Sequence, residues 1–174
     1  VWRCIPNKQF FNSSVKTKSA KISVMNSSSI TALIVLLCIA ASHQQLPSLP
    51  EEFFRCICLI ESDCNNNIGC APDTDNLLAC GPYQIKNAFW IDASQFAGRN
   101  LGGSWLECTT GRNNQACSRE TMLYYFARYG RYCTNNRPPT LQDYARIHNG
   151  GPLGCRHHYT AGYWDKVRTC LEPR

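Results

Sequence analysis

The segment CICLIESDCNNNIGCAPDTDNLLACGPYQI, residues 56–85, sets the architecture expected of this chain. Its first part, with the preceding FFR, is densely apolar and predicts a short buried helix that ends near Glu61. The middle part, rich in Asn with a Gly and a Pro, predicts turns. The last part, residues 77–85, can alternate as a strand that bends at Gly81 and Pro82. A helix followed by a β-hairpin is therefore expected.

The chain beyond this segment is mostly helical in pattern. Residues 86–96 look helical, and a loop with three glycines follows them. Three later helices each have a hydroxyl side chain as a candidate N-cap: Ser118, Thr140 and Thr160. The second of these has Asp143 three residues after its cap and a stop signal at Gly150 and Gly151. The expected fold class is α+β, mainly helical, in a small disulfide-rich domain with a short β-hairpin.

The beginning of the chain has the pattern of a secretory signal. The first Met is Met25, and an apolar run interrupted only by Thr31 covers residues 30–41. Such a run suits the core of a signal peptide and is too short to span a bilayer. The expected organisation is a translated leader that is not native (1–24), a signal peptide (25–43), a flexible tail (44–52) and one folded domain (53–174).

The charge balance changes once the leader and the signal are set aside. The whole chain has 18 Lys and Arg and 12 Asp and Glu, a net charge of +6. Residues 1–43 contain five of the basic residues and no acid, so the remainder has a net charge of +1. No polybasic run follows residue 43. We therefore expect no nucleic-acid partner and, after signal cleavage, no membrane partner.

Cysteine content indicates an oxidising compartment. Ten of the 12 cysteines follow residue 43, an even number that predicts up to five disulfide bridges in a small secreted domain. The connectivity stays open at this point. A zinc site is the alternative, given a Cys-x-Cys string and the pair His157 and His158, but no Cys-x2-Cys spacing is present. We expect no metal and no cofactor.

Paired carboxylates are the leading candidate for chemistry. The sequence has no glycine-rich phosphate loop, no HExxH and no Gly-x-Ser-x-Gly. Glu61 directly follows Leu59 and Ile60, and an apolar wall favours the protonated form of a carboxyl group. Asp73 lies in a polar turn, where a carboxylate stays charged. Along one straight helix the two would be about 18 Å apart, so the chain must fold back between them.

Several strings in order resemble the invertebrate-type lysozymes, also called the destabilase family. They are CICLIESDC, IGCAPD, CGPYQIKNAFWID, ARIHNGGPLGC and GYWD, and they cover nearly all of residues 53–170. The resemblance implies a compact, mainly helical, lysozyme-like fold with a small β-hairpin. It also implies hydrolysis of the β-1,4 bond between N-acetylmuramic acid and N-acetylglucosamine in peptidoglycan.

The resemblance also implies roles for both carboxylates. The family's acid is the Glu that follows the Cys-x-Cys string, here Glu61, and its second carboxylate is the Asp three residues after the Gly-Cys pair, here Asp73. Asp75 is a competitor for the second role, because one extra residue lies between Asp73 and Cys80. A retaining course is expected from the family.

Glycan-binding positions follow from the same resemblance: Lys86, Phe89, Trp90, Asp92, Tyr125, His148 and Asn149. Phe89 and Trp90, in the helix expected over residues 86–96, could stack on a sugar face. Lys86 and Asp92 could bind hydroxyl groups. Core packing is the alternative for the aromatic residues, Tyr125 included. His148 could instead only satisfy backbone groups.

Some relatives also cleave isopeptide bonds with a Ser-dependent site near the Trp before a Cys. Here Leu106 and Glu107 replace the usual Lys-Ser pair in that string, so no isopeptidase activity is expected. The expected partner is bacterial peptidoglycan, with chitin oligomers as a second glycan, and the protein is expected to be a secreted monomer. The alternatives are a catalytically silent peptidoglycan-binding or immune-recognition protein, and an interaction domain that binds no glycan.

Overall fold

A computed structural model of the chain describes residues 45–172; the expected leader and signal peptide lie outside the described residues. The described part is mainly helical with one small sheet, which confirms the expected fold class. Its helices are α1 (Glu51–Ser62), α2 (Asn87–Ala97), α3 (Trp105–Thr110), α4 (Asn114–Cys133), α5 (Leu141–Gly150) and α6 (Ala161–Leu171). Short 3-10 helices cover Gly151–Arg156 and His158–Thr160. Among these residues, no helix is long and apolar enough to cross a membrane.

Helix α1 forms because its apolar residues repeat at helical spacing. Phe53, Cys56 and Ile57 are fully buried, whereas the first turn carries the acidic pair Glu51 and Glu52, which favours a helix N-terminus. The helix starts two residues before the expected boundary of the folded domain, so the last two residues of the expected tail are helical.

The expected hairpin is present and a third short strand extends it. Strand β1 (Cys70–Pro72) pairs antiparallel with β2 (Leu78–Cys80), and β3 (Ile85–Lys86) pairs with the other edge of β2. Gly81, after β2, has a φ of 72°, and a Cβ there would lie 1.9 Å from the backbone oxygen of Thr109. Only glycine fits this close approach, which holds the hairpin against α3.

The expected caps are only partly confirmed. Thr140 accepts a hydrogen bond from the N–H of Asp143, whose carboxylate accepts one from the N–H of Thr140, so the capping box predicted from the sequence is confirmed. Ser118 as a cap is wrong: α4 begins at Asn114, and Ser118 is fully buried inside the helix. The helix therefore begins five residues before the start at residue 119 that a cap at Ser118 implied.

Thr160 is at the expected start of α6, but its side chain does not cap that helix. Its hydroxyl lies 2.8 Å from the carbonyl of Gly154 and 2.7 Å from that of His157, and Nε of Arg146 donates to it at 2.8 Å. The buried hydroxyl therefore fixes the two 3-10 helices against α5.

All ten cysteines of the described part are paired, as expected. The bridges are Cys56–Cys170, Cys58–Cys64, Cys70–Cys80, Cys108–Cys117 and Cys133–Cys155. The first closes the longest loop, 114 residues, and joins the first helix to the last. This bridge and the core between α1, α4 and α5 bring distant segments of the chain to one face of the molecule.

Candidate active site

A cleft of about 530 Å³ lies where α1, the hairpin, α2, α4 and α5 meet. The structure brings seven of the nine predicted site residues to its walls: Glu61, Asp73, Lys86, Phe89, Tyr125, His148 and Asn149. Asp75, the competitor for the second carboxylate, also lines the cleft. The chain does fold back between the two predicted carboxylates, through the turn-rich segment that follows α1.

Glu61 lies in the last turn of α1, with 19% of its side chain exposed. The hydroxyl of Tyr163, on α6, donates to Oε1 of Glu61 at 2.6 Å. Nε2 of His148, whose side chain is 4% exposed, lies 3.3 Å from the same oxygen. Both contacts fall on Oε1, and neither residue engages Oε2.

Burial and the charge of Glu61 raise the pKa of Tyr163 well above its ordinary value. The phenol therefore keeps its proton at any physiological pH and is a permanent hydrogen-bond donor. The sequence pointed to an apolar wall beside Glu61, whereas the contacts on its carboxyl group come from this hydroxyl and an imidazole. The local sequence of α1 could not reveal this hydrogen-bond donor, because Tyr163 lies 102 positions further along the chain.

Asp73 follows β1 directly and its carboxylate is held by two donors. The N–H of Thr74 donates to Oδ1 at 2.6 Å, and Nζ of Lys86 lies 2.8 Å from Oδ2. The hydrogen bond from Lys86, followed by that from the Thr74 backbone, lowers the pKa of Asp73 below its ordinary value. The carboxylate is therefore ionised near neutral pH, as expected for a polar turn.

Lys86 also lies 2.7 Å from Oδ2 of Asp75. The pKa of Asp75 is lowered in the same way, first by Lys86 and then by the N–H of Leu77. One ammonium group thus joins the two carboxylates of the hairpin turn. The sequence suggested that Lys86 binds sugar hydroxyls, and in the structure its charge is paired with these two carboxylates.

Phe89 and Tyr125 form the apolar part of the cleft. Their rings stack with centroids 3.5 Å apart and an angle of 11° between planes, and the edge of His148 contacts Phe89. Both aromatic residues are almost fully buried and also line the cleft. Core packing and cleft lining, which the sequence left as alternatives, are here served by the same side chains.

Trp90 and Asp92 do not line the cleft. Nε1 of Trp90 donates to the carbonyl of Leu101 at 2.9 Å, and the carboxylate of Asp92 accepts from the hydroxyl of Tyr129 at 2.8 Å. Successive residues of a helix point about 100° apart, and in this helix Ala88 and Phe89 line the cleft whereas Trp90 turns toward Leu101. Their expected contact with glycan is therefore not supported by their placement.

Sequence reasoning missed two tyrosines of this region, Tyr159 and Tyr163. Tyr163 belongs to the GYWD string, which entered the sequence analysis only as part of the family resemblance. Tyr159 lies on the 3-10 helix before it and lines the cleft. No local pattern distinguishes either residue from an ordinary helical or surface tyrosine.

The arrangement suits general acid catalysis combined with a charged carboxylate. One carboxyl group has a hydroxyl donor on a single oxygen, and a second is kept ionised by an ammonium group in the same cleft. Two such carboxyl groups in different environments are what glycoside hydrolysis requires.

Comparison with known proteins agrees with this chemistry. Residues 50–170 match the family model named Destabilase. The chain is 44% identical to Lysozyme 1 of Crassostrea virginica over 120 residues, which are 68% of this chain and 58% of that protein, less than two-thirds of its length. It is 34% identical to invertebrate-type lysozyme 3 of Caenorhabditis elegans over 140 residues, covering 79% of this chain and 94% of that protein.

Solved structures show the same fold. The structure of Tapes japonica lysozyme superposes with a TM-score of 0.61 at 31% identity, covering 75% of this chain and all of that one. The lysozyme of Meretrix lusoria, solved in complex with Aeromonas hydrophila PliI, gives a TM-score of 0.59 at 35% identity. That comparison covers 70% of this chain and 89% of the Meretrix chain.

Proposed function

The chain belongs to the destabilase family of invertebrate-type lysozymes, and on that basis we propose that it cleaves peptidoglycan in this cleft. It is a glycoside hydrolase that acts on the β-1,4 bond between N-acetylmuramic acid and N-acetylglucosamine. The observation that carries the proposal is the pairing of Glu61, held by Tyr163, with Asp73, held by Lys86, in one cleft.

Glu61 is the general acid in this proposal, and Oε2 is the oxygen that carries the proton. The hydroxyl of Tyr163 occupies Oε1 as a donor, so a proton on that oxygen would leave two donors facing each other. His148 lies on the same side of the carboxyl group and restricts it further. Tyr163 is therefore a positioning residue that directs the acidic proton toward the glycosidic oxygen.

Asp73 is the second carboxylate and the nucleophile of a retaining reaction. The bond from C1 to the leaving oxygen breaks as the proton of Glu61 passes to that oxygen, and an oxygen of Asp73 bonds to C1. Water then attacks C1 and gives its proton to Glu61, and the bond to Asp73 breaks. Both carboxyl groups return to their starting states.

Asp73 is favoured over Asp75 because its backbone is fixed by the hairpin. Its N–H donates to the carbonyl of Leu77 at 2.9 Å, and its carbonyl accepts from the N–H of Asn76 at 2.8 Å. Asp75 lies between them at the tip of the turn. A nucleophile needs a fixed approach to C1, and the residue next to the strand provides it.

The cleft that would bind the substrate is lined by both apolar and polar side chains. Phe89 and Tyr125 provide an apolar wall, and His148 and Asn149 provide polar groups for hydroxyl and acetamido substituents. Peptidoglycan is the substrate implied by the lysozyme relatives, and chitin oligomers are a second glycan that presents the same N-acetylglucosamine rings. We infer that the protein is secreted, because five bridges require an oxidising compartment for their formation. That it is a monomer stays a prediction.

The decisive experiment compares the mature protein with Glu61→Gln on purified peptidoglycan, by release of reducing ends. General acid catalysis of this kind predicts a loss of at least about 100-fold in the variant. Equal rates for the two proteins would remove Glu61 from the mechanism. Binding of peptidoglycan by the mature protein without any release of reducing ends would show a catalytically silent recognition protein instead.

A further inference from the structure

Tyr159 differs from the other aromatic residues of the cleft in its exposure. Its side chain lines the cleft and is 62% exposed, whereas Phe89 and Tyr125 are almost fully buried. A single exposed tyrosine on a protein surface has no special meaning by itself. An exposed aromatic ring on the wall of the proposed glycan cleft is, by contrast, available to contact the substrate.

The ring of Tyr159 is supported from one side. It stacks on the ring of His157 with centroids 5.1 Å apart and an angle of 13° between planes. The carbonyl of His157 accepts a 2.8 Å hydrogen bond from Nη2 of Arg146, and the hydroxyl of Thr160 lies 2.7 Å from it. The backbone of His157 is therefore held to α5, while the Tyr159 side chain that stacks on its ring stays 62% exposed.

The neighbouring backbone brings Tyr159 next to the catalytic wall. A Cβ placed on Gly150 would lie 3.5 Å from the hydroxyl oxygen of Tyr159 and 2.5 Å from Cγ2 of Thr160. Gly150 lines the cleft and directly follows His148 and Asn149 in α5. No side chain therefore separates the phenol ring from the segment that contacts Glu61.

We propose that Tyr159, supported by His157, is a stacking platform for one N-acetylhexosamine ring of the glycan at the rim of the cleft. The proposal rests on the proposed function, since it names how the same cleft binds its substrate. One face of a pyranose ring presents axial C–H groups, and the face of an aromatic ring is electron-rich. Contact between the two faces removes apolar area from water and requires no charged group.

A flat ring that is held before the substrate arrives loses little conformational entropy on binding. The stack on His157 provides this pre-organisation. Removal of the ring should weaken binding of every glycan that covers the platform, with equal effect on the ground state and the transition state. In kinetic terms, KM rises and kcat stays unchanged.

The test uses soluble, uncrosslinked peptidoglycan glycan strands and isothermal titration calorimetry. All binding variants carry Glu61→Gln, so that no hydrolysis occurs during the titration. Tyr159→Ala should raise Kd by about three- to tenfold, the value of one aromatic contact. Tyr159→Phe and Tyr159→Trp keep the ring and should stay within about twofold of the parent.

Tyr132→Ala is the matched control. Tyr132 is 59% exposed, packs against Arg156 and does not line the cleft. Removal of the Tyr132 ring should leave Kd unchanged. In the same variant, the ring protons of Tyr159 should change chemical shift as the glycan strands are added. A Kd for Tyr159→Ala within about twofold of the parent overturns the platform, and so does a loss in Tyr159→Phe equal to that in Tyr159→Ala.

The two proposals fail in different ways. If the wild-type chain releases no reducing ends but Tyr159→Ala still weakens binding, the hydrolytic function fails and the platform stands. If the wild-type chain is active and Tyr159→Ala binds normally, only the platform fails. Absence of any binding by the Glu61→Gln parent overturns the platform as well.

Discussion

The hydroxyl of Tyr163 donates a 2.6 Å hydrogen bond to Oε1 of Glu61, although 102 positions separate the two residues in the sequence. The donor comes from α6 and the acceptor from α1, and the bridge between Cys56 and Cys170 ties these two helices together. The position of the proposed acid therefore depends on both ends of the folded domain.

Replacement of Tyr163 by Phe should lower kcat by about ten- to a hundredfold, with KM nearly unchanged. The hydroxyl contacts Glu61, and Tyr163 does not line the cleft. One hydrogen bond to an ionisable group contributes about 1.5–3 kcal/mol. Steady-state kinetics on soluble peptidoglycan measure kcat and KM separately. Tyr132→Phe removes an exposed hydroxyl outside the cleft and is the control; a rise in KM without a fall in kcat would show a substrate contact instead.

Asp73→Asn should abolish most activity, whereas Asp75→Asn should keep at least about a tenth of it. The first change removes the proposed nucleophile, and the second removes a carboxylate that only shares Lys86 with it. Release of reducing ends by the two purified variants decides between the carboxylates. The opposite order of the two losses would assign the nucleophile to Asp75 and would show that the extra residue shifts the alignment.

Lys86→Met should move the acidic limb of the pH profile of kcat/KM to higher pH. Lys86 lowers the pKa of Asp73, so its removal lets that pKa rise toward the ordinary value. Because Asp73 must be ionised to act, activity is then lost at a higher pH as the solution is acidified. Lys166→Met, at an exposed position of α6, is the control. An unmoved acidic limb would show that another group governs it.

Asp143→Asn should lower the free energy of unfolding by about 1–2 kcal/mol at neutral pH. Burial opposes ionisation of Asp143, but hydrogen bonds from the backbone and side chain of Thr140 and from Arg137 outweigh it and lower its pKa. A lowered pKa stabilises the fold above the ordinary pKa of the carboxyl group, and this contribution disappears as the pH falls through the lowered value.

The difference between wild type and Asp143→Asn should therefore vanish in acid, which urea unfolding at several pH values can measure. Glu120→Gln is the control, because its ion pair with Arg99 is exposed and should contribute less than about 1 kcal/mol. A difference that persists below the lowered pKa would point to packing and not to charge.

Removal of the bridge between Cys56 and Cys170 by paired Ala substitutions should destabilise the protein more than removal of that between Cys108 and Cys117. The first closes a loop of 114 residues and the second one of 9. The chain-entropy relation gives a difference of about 2 kcal/mol in unfolding free energy. Urea unfolding of the two double variants measures it, and equal losses would show that loop entropy does not control stability here.

Local signals in the sequence were sufficient where the interaction is local. Thr140 and Asp143 lie three residues apart, so the capping box could be predicted without any tertiary information. The polar turn around Asp73 is similar, since its backbone donor is the next residue. The hairpin and the end of α1 near Glu61 also follow from adjacent residues.

Interactions across the fold were beyond such reasoning. Ten cysteines do not reveal their partners, and Tyr163 reaches Glu61 only because α6 packs beside α1. Trp90 was assigned to the glycan site from the family resemblance, yet its indole N–H donates to the carbonyl of Leu101 and its side chain does not line the cleft. Ser118 fits a cap by type, but the turn that precedes it also forms helix.

The separation of the acid and its donor has a consequence for biosynthesis. A ribosome adds about 5–20 residues per second, so Glu61 is translated roughly 5–20 s before Tyr163. During that interval the nascent chain lacks the hydroxyl that is proposed to orient the acidic proton. The proposed acid therefore gains the contact that positions it only when the last helix has left the ribosome and docked beside the first.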